Sequence, residues 1–165
     1  MISCTEFIPA YSEMFKYLER RGGKKAVLDF WNFLSDRFLT NLRELARRYG
    51  LRGCWQYWKH TLNEEAADFT MTLDEKAGEF RIAMHHCPSK GRLLTCRHIR
   101  PYRDYCEHCD VLYRRILEPL GFEYLFDDSQ CRRARCCIVV RALKPPRTAR
   151  RNSRNRAKNR KRKAA

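Results

Sequence analysis

The chain has 165 residues, of which 44% are hydrophobic and 12% aromatic, as is typical of one globular domain with a bulky core. It contains no run of 18 apolar residues and no basic-then-apolar N-terminal signal, so we expect a cytoplasmic protein with no transmembrane segment. The net charge of +16 is uneven, because residues 144–165 hold eleven Lys and Arg and no acid, leaving +5 for residues 1–143.

Three helices are predicted in the N-terminal part of the chain. Apolar residues at helical spacing predict a first helix over 3–22, ended by glycines, and a second over 24–49 with one wide apolar stripe. A third helix is predicted over 53–66. It carries Trp55 and Trp58, which either line a small-molecule pocket or belong to the core.

The pattern then changes to the alternation that is typical of strands. Residues 69–73 and 80–84 alternate apolar and polar residues around D-E-K-A-G, which predicts a β-hairpin with one buried face. Pro88 and Gly91 indicate an exit loop, and residues 93–99 predict a short strand or an irregular segment.

One further helix, followed by a second hairpin, completes the predicted domain. The helix begins near Asp104 and ends before Gly121. Residues 122–126 and 134–142 predict the last two strands, and the final strand is expected to be buried on both faces. The predicted fold is α+β, with N-terminal helices packed on a four-stranded antiparallel sheet and one further helix between the two hairpins.

The domain is predicted to span residues 1–143. Pro145 and Pro146 end it, and residues 144–165, rich in Arg, Asn, Lys and Ser, are predicted to be a disordered basic tail. The tail has no aromatic residue for base stacking, so it indicates only non-specific attraction to nucleic acid or anionic lipid.

The stretch from Met84 to Cys109 holds four of the nine cysteines and four of the five histidines. Strand alternation places His86 on the face of Met84 and places His85 and Cys87 on the opposite face, unless the strand bulges. Thiols and imidazoles are the groups that bind soft metals or supply a nucleophile with its base. The sequence therefore predicts a functional centre in this stretch.

Cys106 and Cys109 form the sharpest local motif, C-E-H-C, at the start of a helix. Both sulfurs point the same way, and a helix N-terminus favours the thiolate, so a lowered cysteine pKa is expected. Three uses follow: two ligands of a zinc ion completed by Cys87 with His86 or His85, a redox pair, or an activated nucleophile with a histidine base. Alternatively, Cys109 belongs to the core and Cys106 is a surface thiol.

A second cysteine group and several acids lie outside this stretch. Alternation puts Cys136 and Cys137 on opposite faces of the last strand, so at least one is ordinary packing, while Cys131 or Cys136 can return to the helix of Cys106. Glu65 and Asp110, with their acidic neighbours, are candidate acids or bases, although surface solvation is the usual fate of such residues.

The motifs H-C-P, Y-C-E-H-C-D-V-L-Y, L-G-F-E-Y and C-x4-C-C together resemble the L-2-amino-thiazoline-4-carboxylic acid hydrolase-like family. They are also distantly similar to the ligand-binding domains named after bacteriochlorophyll 4-vinyl reductase. The likeness covers roughly residues 68–142. It implies a pocket between helices and sheet, opening of a cyclic C–N bond or small-ligand binding near a cysteine-ligated zinc, and a centre at His86, Cys87, Cys106 and Cys109.

Three functions compete at this point. The first is a cytoplasmic hydrolase of a small cyclic amide- or amidine-like substrate, in which Cys87, Cys106 or a zinc-bound water attacks and His86 is the base. The second is a non-catalytic sensor module that binds a small ligand or metal. The third is non-specific nucleic-acid binding through the tail. The predicted partners are thus a small molecule, zinc, nucleic acid at the tail and a second copy in a homodimer.

Overall fold

The order of elements confirms the predicted α+β class. The computed structural model describes residues 4–143, and the predicted tail 144–165 lies outside this range. Short 3₁₀ turns follow the fifth helix and precede the last strand. The elements are α1 (Cys4–Phe38), α2 (Thr40–Tyr49), α3 (Leu51–Glu64), β1 (Asp68–Asp74), β2 (Glu79–His86), α4 (Pro88–Thr95), α5 (Glu107–Leu117), a 3₁₀ turn (Glu118–Leu120), β3 (Phe122–Asp127), a 3₁₀ turn (Cys131–Arg133) and β4 (Cys136–Ala142).

The four strands form one antiparallel sheet in the order β1-β2-β4-β3. Phe80 pairs with Val140 and Ile82 with Ile138, so the apolar residues of both central strands share one face. The helices cover that face. The opposite face leaves Val139 only partly buried, so the expectation that the last strand is buried on both faces is wrong. An antiparallel sheet needs only one covered face, and residues 4–143 provide no second helical layer for the other.

Two groups of buried side chains lie on either side of α5. The first, here called the sheet-side core, packs α2, α3 and α5 on the sheet, and the second, the α1-side core, packs α1 against α4 and the segment before α5. The sheet-side core includes Trp58, Phe80, Ile82, Ile116, Leu117, Tyr124 and Val140. The α1-side core consists of Phe15, Val27, Trp31, Leu93, Tyr102 and Tyr105.

The N-terminal helices break where the backbone changes direction. Gly22 and Gly23 interrupt α1 with non-helical angles, and Gly23 has a φ of +69°, which confirms the predicted glycine stop. The second predicted helix, 24–49, is not continuous, because it ends at Phe38 and resumes at Thr40. Leu39 at the break is buried, so the turn lets it join Leu42 in the sheet-side core.

Two helices, rather than one, separate the hairpins. The predicted loop at Pro88–Gly91 and the strand or irregular segment after it are replaced by α4 and a short connection. Pro88 begins this helix at a position that needs no N–H donor, and Leu93, at 1% exposure, anchors it in the α1-side core. Within the described range no helix is long and apolar enough to cross a membrane.

Candidate functional site

Cys87 lies at the junction of β2 and α4. Its thiol caps α4, since the Lys90 N–H points at Sγ over 3.4 Å, and its own N–H donates to the Ala134 carbonyl at 2.7 Å. Burial raises the pKa of the Cys87 thiol, and the N–H groups of Lys90 and Ser89 offset part of that rise. The second bond ties the start of α4 to the segment just before β4.

Cys106 and Cys109 occupy the N-cap and the first turn of α5. Burial raises the pKa of Cys106 to about 12 and raises the pKa of Cys109 well above its usual value. The expected lowering of a cysteine pKa by the helix N-terminus is therefore wrong for this motif. The partial charge of a helix end is small, while the loss of hydration penalises the full charge of a thiolate.

Cys136 brings a fourth thiol to the same place from β4. It lies on the covered face with Ile138 and Val140, whereas Cys137 lies on the other face, as alternation predicts. Burial raises the pKa of Cys136 to about 12, and repulsion from Cys87 and Cys106 adds to this rise.

The four sulfurs lie within electrostatic reach of one another. Charge on Cys87, Cys136 or Cys106 raises the pKa of Cys109, and Cys87 likewise acts on Cys106. The predicted meeting of the β2 end with the α5 start thus occurs, and β4 joins it. Since every one of these pKa values is raised, the thiols are protonated and neutral at neutral pH.

The two histidines at the end of β2 diverge. The register slips between Asp68 and Phe69, so β2 bulges at His85, and the His85 Nε2 lies 2.8 Å from the Thr70 hydroxyl. His86 instead turns toward α4, where a Cβ on Gly91 would lie 2.3 Å from its Nε2. Among the described residues no hydrogen bond joins His86 to Cys87 or Cys106. The predicted roles of His86 as base and ligand stay predictions.

A different imidazole, that of His108, contacts a thiol. His108 Nε2 lies 3.5 Å from Cys109 Sγ, and its Nδ1 donates to the Tyr105 carbonyl. Rings of Tyr11, Phe15 and Tyr105 surround it. This burial lowers the pKa of His108 to about 4. The residue was visible in C-E-H-C, but sequence adjacency alone did not indicate which nitrogen would face which partner.

Buried tyrosines complete the site, here called the thiol–phenol cluster and defined by the four thiols with Tyr113 and Tyr124. Burial raises the pKa of both phenols well above its usual value, and proximity to Cys109 contributes to each rise. Tyr124 is 0% exposed, and its hydroxyl has no hydrogen-bond partner among the described residues. Glu65, at the end of α3, is near enough for its charge to raise the pKa of Cys109 and Cys87.

The predicted zinc site depends on how the candidate donor side chains are arranged. Among the side chains that the structure describes, residues 6–143, no three His, Cys, Asp or Glu are arranged to hold a metal ion. The set His86, Cys87, Cys106 and Cys109 therefore does not form a ready-made coordination shell, and zinc binding stays a prediction. The cysteines from Cys54 onward are free thiols, and the redox-pair alternative stays a prediction.

Comparison with known proteins matches the chain to no protein-family model, no curated protein and no solved structure. The resemblance to the hydrolase-like family consequently stays a prediction from the quoted motifs.

Proposed function

We propose that the protein is a binding module for an uncharged small molecule, which it holds in the thiol–phenol cluster. The observation that carries this proposal is the Tyr124 hydroxyl, fully buried beside Cys109 and Cys136 with no partner. A buried donor left unpaired costs on the order of 1–3 kcal/mol. A ligand acceptor atom at Tyr124 Oη would remove that cost, so the site favours an occupant that accepts a hydrogen bond.

The side chains of the thiol–phenol cluster indicate which class of ligand it would bind. Four neutral thiols and the ring of Tyr113 offer polarisable, apolar surface, with few groups suited to an ion. An ionic ligand would lose its hydration among these neutral groups, and the charges nearest the thiols, Glu65, Asp128 and Lys90, are of mixed sign. The expected ligand is therefore compact, neutral and polarisable, with one acceptor for Tyr124 and an unsaturated or sulfur-containing body.

The experiment compares native and denaturing mass spectra of the purified full-length protein. We expect an extra mass, that of the bound ligand, in the native spectrum and its loss on denaturation. The fraction of Tyr124→Phe protein that carries this mass should be at least about tenfold lower than in the wild type, because the variant lacks one hydrogen bond in a buried site. Tyr17→Phe is the matched control, because Tyr17 is 54% exposed on α1. Equal retention by Tyr124→Phe and wild type, or no retained mass at all, would contradict the proposal.

A second function, hydrolysis of a small amide- or amidine-like substrate, is favoured by one contact. The Cys109 thiol lies against His108 Nε2, and the Tyr105 carbonyl orients the other ring nitrogen. A base oriented in this way is the usual partner of a nucleophilic thiol. In that reaction His108 would take the thiol proton as Sγ bonds to carbon, then return it to the departing nitrogen, and water would release the acyl group.

The protonation states of Cys109 and His108 make hydrolysis the second candidate function. With the pKa of His108 near 4 and that of Cys109 raised, the pair rests as a neutral thiol and neutral imidazole, which is less reactive than a thiolate. Turnover of cyclic and linear amides by the wild type, abolished in both Cys109→Ser and His108→Gln, would support catalysis. Retained ligand with no turnover supports the binding module.

A further inference from the structure

Basic side chains are concentrated in α4 and in the connection that follows it. From His85 to Arg103 the chain has five Lys and Arg and no acid. Two of these five are paired, Arg92 with Glu6 and Arg103 with Glu19. Lys90, Arg97 and Arg100 make no ion pair or hydrogen bond through their side chains within the described residues. Arg97 and Arg100 are exposed, whereas Lys90 is half-buried near the thiols, where its charge offsets part of the rise in the pKa of Cys87 and Cys106.

The segment before β4 brings three more cations next to α4. The bond from the Cys87 N–H to the Ala134 carbonyl joins the start of α4 to this segment, and α4 also packs against the 3₁₀ turn Cys131–Arg133. The side chains of Arg132, Arg133 and Arg135 are exposed and have no ion-pair partner in the described range. We call the six side chains, Lys90, Arg97, Arg100, Arg132, Arg133 and Arg135, the basic edge.

The nearby acids do not neutralise this edge. Asp127 turns back to accept a hydrogen bond from the Ser129 N–H at 2.9 Å. Asp128 acts on Cys106 and Cys136, whose pKa values it raises, so it faces the thiols. Six cations against two acids leave an excess of four positive charges on one side of a small domain. Unpaired like charges held close together repel, so an anionic partner would relieve this repulsion.

We propose that the basic edge binds the phosphate backbone of nucleic acid. Five of its six cationic side chains are arginines, and the planar guanidinium group of an arginine can donate two hydrogen bonds to one phosphate. The large apolar side chains exposed in this region are Leu94 at 48% and Phe7 at 56%, which follows the Glu6 that pairs with Arg92. Two side chains are less than the continuous apolar face that insertion into a lipid surface needs. The basic edge has no exposed aromatic residue for base stacking, so contacts go to phosphate and binding is independent of sequence.

The residues of the basic edge precede the basic tail in the chain and do not overlap with it. The tail follows Leu143, after the end of β4, whereas Arg135 lies immediately before the start of β4, so the strand's seven residues stand between them. A strand of that length spans about 20 Å. Variants at the basic edge therefore test it without altering the tail, in the full-length chain.

The test measures binding of a fluorescein-labelled DNA duplex of mixed sequence, by anisotropy, over a series of salt concentrations. Arg132→Glu with Arg133→Glu should weaken binding at least tenfold at low salt and reduce the slope of log K against log salt by about 2, one unit for each lost phosphate contact. Arg47→Glu with Arg48→Glu is the charge-matched control, because both arginines are exposed at the C-terminal end of α2 and make no ion pair among the described residues.

Two outcomes overturn the proposal. If both double variants weaken DNA binding equally, binding depends only on the net charge of the protein, and the basic edge is not a nucleic-acid-binding site. If the wild type binds vesicles containing anionic lipid more tightly than it binds duplex or single-stranded RNA, the partner is a lipid surface. Should the first variant fail to fold by circular dichroism, Arg97→Glu with Arg100→Glu, in the loop after α4, repeats the test with the same expected loss.

Discussion

The sheet-side core and the α1-side core differ in how they are held together. On the sheet side, aliphatic and aromatic side chains meet through strand register, as where Phe80 lies beside Val140. On the α1 side, polar groups are enclosed with the rings and are joined by specific hydrogen bonds: Ser12 to Tyr102 and His108 to Tyr105. The first region thus depends on apolar volume, while the second depends on a few polar partners and on their protonation.

Removing volume from the sheet-side core should give the largest effect. Phe80 is fully buried on the central strand β2 and contacts Trp58. Phe80→Ala should lower the free energy of unfolding by about 3–5 kcal/mol, since it leaves a cavity among residues that cannot collapse into it. Urea denaturation measures this loss. Phe38→Ala, at a position 77% exposed, is the control and should change stability little.

Protonation should weaken the α1-side core next. The pKa of His108 is about 4 in the folded protein, below its usual 6.5. Between these two pH values His108 is therefore protonated in the unfolded chain and neutral in the folded protein. The stability linked to His108 is fully present above pH 6.5 and is lost as the pH falls toward 4, by about 3 kcal/mol.

The measurement is urea denaturation of wild type and His108→Gln at a series of pH values between 7 and 4. The difference between their pH dependences should follow the His108 titration. His60→Gln, which alters an exposed histidine on α3, should keep the wild-type dependence. An identical slope in all three proteins would show that His108 is hydrated and that this region is not as enclosed as the contacts indicate.

A single hydroxyl should matter next on the α1 side. Ser12 is fully buried, and its Oγ accepts the Tyr102 N–H at 2.8 Å. Ser12→Ala should cost about 1–3 kcal/mol, because the buried N–H of Tyr102 would lose its partner. Thr95→Ala, which removes an exposed hydroxyl bonded only to Arg92 in its own helix, should stay within about 0.5 kcal/mol. Equal costs for the two changes would contradict this account.

The smallest effect is expected at the junction of β2 and α4. A Cβ on Gly91 would meet the His86 imidazole, so Gly91→Ala should cost about 1 kcal/mol more with His86 present than in a His86→Ala background. In that background the change should be neutral or slightly stabilising, since alanine favours helix. A double-mutant cycle by thermal or urea denaturation gives the coupling. A coupling of zero would place His86 elsewhere than against α4.

Local patterns determined most of the fold. Helical spacing, the Gly22-Gly23 stop and the alternation around Phe80 and Ile82 depend on near neighbours in the chain, so the helices, the hairpins and the α+β class could be predicted from them. The helix α4 could not, since Pro88 and Gly91 also fit a loop. It forms because Leu93 is buried against α1, a contact from a distant part of the chain.

The chemistry of the centre was decided by tertiary structure. The sequence determined that thiols and imidazoles are concentrated between Met84 and Cys109, and alternation separated Cys136 from Cys137. It could not show that β2 bulges at His85, that His108 contacts Cys109, or that burial outweighs the helix end and raises the cysteine pKa values. A pKa depends on the groups and solvent around a residue, and these are brought together only when the chain folds.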